Sequence, residues 1–397
     1  MKQAYIVSPL RTPIGKFGGA LASLTAVDLS VSIIQAILAK TQIEGSSLDE
    51  VIIAQSYASS EAPCIGRYAA LAAGLPVEVA GYSLDRRCGS GLQALINAAM
   101  SIQTGNAEAI MVLGVESMSN IEYYSTNMRW GSRTGNVTFY DRLERGRERS
   151  QPVERFGVIS GMPETADNLA KDYNISREQC DAFAVESHHK AQHAWDSGKF
   201  QQEVIALEVQ RKKQINIIDR DEGIRAESSI ESLSKLKTLR PNGVTTAGNS
   251  SQQNDAAAGC LVVSADYLKK YHLQPIAKLI GWSAAGCDPS RMGIAPVPAV
   301  EKLLQKTQLQ LQDIDLIEIN EAFAAQTLAV LQQLNITDRD KVNVNGSGIS
   351  LGHPIGATGM RIMTSLVHEM QRRQARFGLE TMCIGGGQGL AALFERV

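Results

Sequence analysis

The chain has 397 residues, of which 44% are hydrophobic and 20% charged. That composition builds a large core and, at this length, two or three domains. A formal net charge of -2, no apolar run of signal-peptide or bilayer length, and six cysteines without CxxC spacing point away from nucleic acid, membranes, disulfide frames and zinc fingers, and toward reduced thiols in a cytoplasmic protein.

In chain order, AYIVSPLRTP from Ala4 is a short strand running into a loop. Val27, Leu29, Ile33, Ile34, Ile37 and Leu38 then recur at helical spacing and predict an amphipathic helix. EVIIAQS from Glu50 has the character of a buried strand. QALINAAMSIQTG from Gln93 reads as a helix with Gly105 near its C-terminal cap. EAIMVLGVES from Glu108 is a continuous apolar run of the parallel-sheet kind.

Residues 120–249 differ in character. Arg142, Arg145, Arg147, Arg149 and Arg155 are interleaved with acids, the pattern of a solvated loop or of a loop that contacts phosphate. Ser176 with Gln179 forms a capping box for a helix that lines up Cys180, Phe183, Ser187, Ala191 and Trp195 on one face. His188, His189 and His193 sit on the same helix. His189 and His193 have the i,i+4 spacing of metal ligands, but no HExxH motif and no third ligand accompany them, so an exposed polar face is expected. Beyond this region, DLIEI is a buried strand ending at Asn320-Glu321, KVNVN a strand leading into a glycine-rich turn, and TMCI a strand ending near Cys383.

Two distant segments match without a gap. AILAKTQIEGSSLDEVII from Ala36 lies on KLLQKTQLQLQDIDLIEI from Lys302, an offset of 266 residues. Lys40-Thr41-Gln42 falls on Lys306-Thr307-Gln308, and Asp49 on Asp315. A duplication follows, with two halves of one fold. At the same offset Cys88 falls one residue from His353, which makes the two turns equivalent places. On this division, residues 1–119 with 250–270 form the first half, 271–397 the second, and 120–249 an insertion that covers something between them.

The candidate chemistry lies on glycine-rich strand-to-helix turns. Cys88, in DRRCGSG, stands at a helix mouth beside Arg86 and Arg87; helix dipole and cations both favour a thiolate. The alternative is a small buried hydrophobe. His353, in GSGISLGHPIG, precedes Pro354, which suits a first helical position and leaves the histidine at the cap, oriented as a base must be. The GxGxxxG spacing there is not the GxGxxG of a dinucleotide site. Cys383 adjoins Gly385, Gly386, Gly387 and Gly389, whose backbone N–H groups are open to a ligand. Asn320 could hold a water or an oxyanion, or could cap the helix that follows. Two thiols suit Claisen chemistry on thioesters, with one carrying the acyl group and the other moving protons.

CGSGLQA, TAGNSSQQNDAAA, MGIAPVPA, NEAFAAQ, GSGISLGHPIGATG and CIGGGQG resemble, in order and along the whole chain, the blocks of the thiolase family. The resemblance implies an α/β fold: a five-layered αβαβα core of two similar halves with an inserted loop domain that binds coenzyme A. It implies an acyl-CoA C-acyltransferase that condenses acetyl-CoA with acyl-CoA or thiolyses 3-ketoacyl-CoA through an acyl-cysteine, as in fatty acid beta-oxidation. Coenzyme A thioesters are then substrates, and no metal or other cofactor is needed. Cys88 matches the acylated nucleophile, His353 the group that activates it, and Cys383 the acid/base at the α-carbon. Asn320 matches the asparagine that positions an oxyanion-hole water, and Gly385 supplies a backbone donor to the other hole. Ser251 and Arg225 match contacts to the pantetheine and adenine of coenzyme A, and Met162 lies on the substrate-binding loop. Gly161-Met162-Pro163 replaces the usual His-Met-Gly of short-chain members, and GSGISLG is more similar to β-ketothiolases of broader range. A homodimer or homotetramer is implied. A ketosynthase using an acyl carrier protein is the nearest alternative, and Cys383 argues against it. A non-catalytic lipid-binding relative should lack one of these groups, and a Cys–His hydrolase would not need Cys383.

Overall fold

The computed structural model describes residues 2–159, 161–211 and 213–397. A ten-stranded sheet runs through it. Its principal strands are Tyr5–Arg11 (β1), Glu50–Ala54 (β2), Ala80–Leu84 (β3), Ala109–Ser117 (β4), Asn254–Val263 (β5), Ala277–Gly286 (β6), Leu316–Ile319 (β7), Phe377–Ile384 (β8) and Gln388–Arg396 (β9), and the short Gly15–Lys16 pairs with β5. They lie in the order β7-β8-β9-β6-β1-β5-β4-β2-β3. The helices that matter here are Ala26–Thr41 (α1), Ser90–Gln103 (α2), Arg142–Glu148 (α3), Met162–Asp172 (α4), Arg177–Asp196 (α5), Pro296–Thr307 (α6), Ala324–Gln333 (α7) and Thr358–Arg373 (α8).

The sheet is two half-sheets joined at a seam. β1 and β6 pair antiparallel through Tyr5↔Lys278 and Ile6↔Ala277. Outward from the seam, β1, β5, β4, β2 and β3 are answered by β6, β9, β8, β7 and a single bridge at Val342. Strand β4 is buried along its whole length because both of its faces are covered. Ile110 and Val112 face inward, onto Leu92 and Leu95 of α2 and Met360 and Met363 of α8; Met382 and Phe394 of the second half-sheet close the same cluster. Met111 and Leu113 face outward, onto Ile33 and Ile37 of α1. On the far side, Ile317 and Leu379 pack against Val300 of α6 and Val330 of α7. The order is helix, sheet, helix, sheet, helix, the expected αβαβα arrangement.

The repeat is structural. Gln42 after α1 and Gln308 after α6 are both left-handed caps, with φ of 55° and 56°. Asp49 accepts from the N–H groups of Glu108 and Ala109, and Asp315 from those of Arg376 and Phe377, so one acid clips the start of the adjacent parallel strand in each half. The offset then grows. The 3-10 turns Arg87–Gly89 and Ile355–Ala357, which lead into α2 and α8, are 268 residues apart. Cys88 is thus the counterpart of Gly356, and His353 lies three residues earlier; the one-residue match expected from the sequence is corrected. The helices themselves cross backbone to backbone. A Cβ on Gly359 would stand 2.3 Å from Leu92 N, and one on Gly91 2.7 Å from Met360 N. That crossing sets the two turns face to face.

Several local expectations change. KVNVN is not a strand: only Val342 bridges β7. Asn343 takes over the ladder, its amide accepting from Ile319 N at 2.8 Å and donating to Ile319 O at 2.9 Å. Pro354 does not open the helix but caps the 3-10 turn before it. Cys383 stands before a β-hairpin and not a helix, because Gly386 and Gly387, at φ of 87° and 81°, reverse the chain into β9. His188 is buried, while His189 and His193 are exposed as expected. Among the described residues, no group of His, Cys, Asp and Glu could hold a metal, and no helix is long and apolar enough to cross a membrane.

Residues 120–249 pack back onto the core. Arg11 of β1, fully buried, pairs with Glu203 at 2.7 Å and Asp221 at 2.8 Å, and Tyr57 donates its hydroxyl to Leu143 O of α3 at 3.2 Å.

Candidate active site

The turn before α2 is held from three sides. Arg87 adopts φ 51°, a left-handed conformation that a side chain adopts only when its surroundings over-determine it. Its N–H donates to Asp85 Oδ1 at 2.6 Å, its carbonyl accepts from Ser56 Oγ at 2.9 Å, and its guanidinium donates to Gly146 O at 2.6 Å. Cys88 follows, half-exposed in side chain yet deep enough that burial raises its pKa above that of an ordinary thiol. Arg87 and the N–H groups of Gly385 and of Cys88 itself pull the other way. Burial wins, so the thiol form is favoured at rest, opposite in direction to the thiolate expected from the helix dipole and the arginines.

His353 lines the same cavity as Cys88. Gly352 before it has φ 117°, and a Cβ there would meet the Asn254 side chain at 2.6 Å, so only glycine fits. Asn254 Oδ1 accepts from His353 N at 2.9 Å. Nδ1 of the ring lies 2.6 Å from Thr358 Oγ1, and that hydroxyl donates to Pro354 O at 3.0 Å. A hydroxyl has one proton; with it on Pro354, the oxygen accepts from Nδ1–H. This hydrogen-bond pattern assigns the tautomer and leaves Nε2 as the lone-pair nitrogen. Burial, with Arg361 and Arg147 adding to it, lowers the imidazole pKa to about 3. A neutral imidazole thus shares the site with a neutral thiol.

Cys383 is buried, and burial with the nearby Cys88 raises its pKa strongly. It also enters the site as an acid. Asn320 is buried behind His353, with Nδ2 3.5 Å from Nδ1. Its Oδ1 has no hydrogen-bond partner among the described residues. Asn320 does not cap α7, which starts at Ala324 after Phe323, so the capping alternative falls.

One cavity of about 400 Å³ joins these elements. Cys88, His353, Cys383, Gly385, Met162, Ser251 and Arg225 all line it; Asn320 stands one layer behind the wall. Met162 heads α4 and packs with Met292, Phe323 and Cys383. Ser251 is pinned through its N–H to Ala322 O at 3.0 Å. Arg225 donates its backbone N–H to His188 Nδ1 at 3.2 Å. Burial lowers the pKa of His188 to about 4, so it stays an acceptor. Thr358 went unread in the sequence, and His188, expected on an exposed polar face, is buried. The signal for Thr358 was available, since it follows His353 by five residues at the start of a helix.

The profile described as the thiolase N-terminal domain matches residues 4–266, and that of the thiolase C-terminal domain matches residues 273–396. The chain is 40% identical over the full length of both sequences to a beta-ketothiolase, BktB, of Cupriavidus necator. Its fold superposes on the acetyl-CoA acetyltransferase of Bacillus anthracis with a TM-score of 0.95 at 42% identity, covering 100% of this chain and 99% of that one. It superposes on human mitochondrial 3-ketoacyl-CoA thiolase in complex with CoA with a TM-score of 0.94 at 38% identity, covering 100% and 98%.

Proposed function

The chain belongs to the thiolase family, and from that premise we propose how its residues divide the work of acyl transfer. The activity is that of an acyl-CoA C-acyltransferase acting on coenzyme A thioesters. In thiolysis, His353 Nε2 takes the Cys88 proton as sulfur attacks the 3-keto carbon. The bond between C2 and C3 breaks, the acyl group stays on Cys88, and Cys383 gives its proton to C2 of the departing acetyl-CoA enolate. A CoA thiol then attacks the acyl-cysteine, its proton returns to Cys383, and Cys88 leaves, recovering the proton held on His353. Condensation is the reverse.

The oxygens are held by different groups. The N–H groups of Cys88 and Gly385, already directed at the Cys88 sulfur, serve the acyl carbonyl. Asn320 Oδ1, a buried acceptor with no partner among the described residues, suits a water that donates one hydrogen bond to it and the other to the enolate oxygen. Ser251 and Arg225 would flank the CoA arm, and Met162 the acyl group. No step calls for a metal or redox group. The observation that carries the reading is the convergence of both thiols and the histidine on one cavity. A ketosynthase would have no use for a second thiol there.

The partners are then acetyl-CoA, acyl-CoA and CoA, and a second copy of the chain. Strand β3 leaves one edge of the sheet unpaired. Trp130 and Phe139 are 92% and 68% exposed around the hairpin Tyr123–Tyr124/Tyr140–Asp141, which supports a homodimer or homotetramer. The deciding experiment is kcat/KM for CoA-dependent cleavage of 3-ketoacyl-CoAs of increasing length. A peak at acetoacetyl-CoA assigns a short-chain enzyme; equal or better rates at five carbons and above assign a broad β-ketothiolase. Absence of cleavage at every length, with an acyl carrier protein substrate accepted instead, overturns the reading.

A further inference from the structure

Glu116 is the last acid one would place by pattern: it sits at the end of β4 among residues that are all buried. Among the described residues it has no cation partner. Its carboxylate instead accepts three backbone N–H groups. Oε2 takes Ser56 N at 3.1 Å and Gly356 N at 3.0 Å, and Oε1 takes Tyr57 N at 3.3 Å. Two of these donors belong to the first half and one to the second.

The duplication explains the place. Gly356 is the counterpart of Cys88 in the second half. By the same offset of 268, Glu116 at the end of β4 corresponds to Ile384 at the end of β8. In the working site, the Cys88 turn faces Ile384 and Gly385, with Gly89 packed on Ile384. In the mirror position, the Gly356 turn faces Glu116. A Cβ on Gly356 would stand 2.5 Å from Val115 O and 3.0 Å from the Glu116 carboxylate, so the turn lies flat on the end of β4. The second site of the duplicated fold is thus closed by a built-in anion.

Both catalytic turns hang on that anion. Gly356 is three residues after His353, within the turn that Thr358 closes. Ser56, held through its N–H, donates its hydroxyl to Arg87 O at 2.9 Å, directly before Cys88. We propose that Glu116 is a positioning residue, whose ionised carboxylate sets the base-bearing turn of His353 against the nucleophile-bearing turn of Cys88. The inference rests on the roles given to those two residues above. Protonation of the carboxyl removes acceptor capacity and slackens the link.

The surroundings place this switch in a usable range. Burial raises the Glu116 carboxyl to about 7, against the pull of its three N–H donors, with Asp85 adding to the rise. Around it, Tyr57 lies under the Arg87 guanidinium, 5.1 Å from the ring centroid, and Ser90 Oγ lies 3.2 Å from Ser56 Oγ. The three titrating catalytic groups lie elsewhere: His353 at about 3, and Cys88 and Cys383 above the ordinary thiol value of 9.0. Glu318, also buried and raised to about 8, titrates close by in pH, so the limb that reports Glu116 is the one that disappears when Glu116 is replaced.

The test is the pH profile of thiolysis and of iodoacetamide alkylation of Cys88, in wild type and in Glu116→Gln. The variant keeps the shape but turns an amide against backbone donors. Wild type should show an acid limb at about pH 7 in both measurements. In the variant the limb should vanish and kcat should fall about 10- to 100-fold, with KM changed less than about threefold. A residue that only stabilises the fold would lower the melting temperature and leave the limb in place, and that outcome overturns the proposal. So does a variant with kcat within twofold of wild type. Where the variant does not fold, wild type decides: thiolysis with no limb between about pH 6 and 8 refutes the role of Glu116, whereas no thiolysis at any pH refutes the assignment on which it rests.

Discussion

The Thr358 hydroxyl is the most direct handle on the histidine. It lies 2.6 Å from His353 Nδ1 and 3.0 Å from Pro354 O, and both residues are buried. Thr358→Val keeps the branched shape and removes only the oxygen. The Nδ1–H then has no acceptor, and an unsatisfied buried donor costs about 1–3 kcal/mol. The ring can escape that cost by moving its proton to Nε2, which makes it a donor toward Cys88 where a base is required. The same energy, read as a shift in tautomer population, lowers kcat/KM about 5- to 150-fold, at 1.4 kcal/mol per factor of ten. The assay is steady-state thiolysis together with the rate of Cys88 alkylation, which isolates proton removal from the later steps. Both should fall together. Thr358→Ser, which restores the hydroxyl, should stay within about threefold of wild type. A Val variant within twofold of wild type in both assays would refute the tautomer assignment.

Cys383→Ala should lower thiolysis about 10²- to 10⁴-fold, the usual worth of a placed general acid. Cys88 should still take one acetyl group from acetyl-CoA in intact-mass measurements; loss of that acylation would contradict the division of labour. His188→Leu removes the acceptor 3.2 Å from Arg225 N, so KM for CoA should rise about 3- to 10-fold with kcat unchanged. A kcat effect without a KM effect would place His188 in another role. Stability should also report this histidine. Burial holds His188 at about 4 and His353 at about 3 in the folded chain, against 6.5 for the free group. For these two groups the unfolded chain binds more protons in that interval, so each subtracts stability as pH drops below 6.5, against the raised carboxyls such as Glu116, and the melting temperature of His188→Leu should rise relative to wild type as pH falls from 6.5 to 4.

Where local chemistry and fold agreed, the sequence was legible. The apolar spacing of α1, the continuous run of β4 and the Ser176 capping box each express one local rule, and each element stands where that rule put it. The repeat was visible because Thr41 and Thr307, and Asp49 and Asp315, keep the same jobs in both halves. The misreadings came from tertiary substitutes for local rules. Asn343 replaces a strand with its side-chain amide, and Arg225 buries His188 by donating to it. The thiolate expected at Cys88 followed from charges near in sequence. Burial outweighs them, and burial comes from the second half of the chain, which packs on the turn through Ile384. Neither a helix dipole nor an adjacent arginine reveals that.

The duplication also bears on why the site is singular. Each half supplies a strand end, a glycine-bearing turn and a helix N-terminus, so the fold offers two symmetric places for an acyl group. In one, the turn carries Cys88 and the facing strand end carries Cys383 and Gly385. In the other, the turn carries Gly356 and the strand end carries Glu116, whose carboxylate occupies the N–H groups. A second thiol at Gly356 could not be reached, because a Cβ there meets Val115 O at 2.5 Å. On the roles proposed above, the first half thus contributes a nucleophile to one site and a plug to the other, and the second half contributes the base, carried on the very turn that the plug holds. Sacrificing one site is what makes the other rigid: the anion that closes the second place is an anchor for both sides of the first.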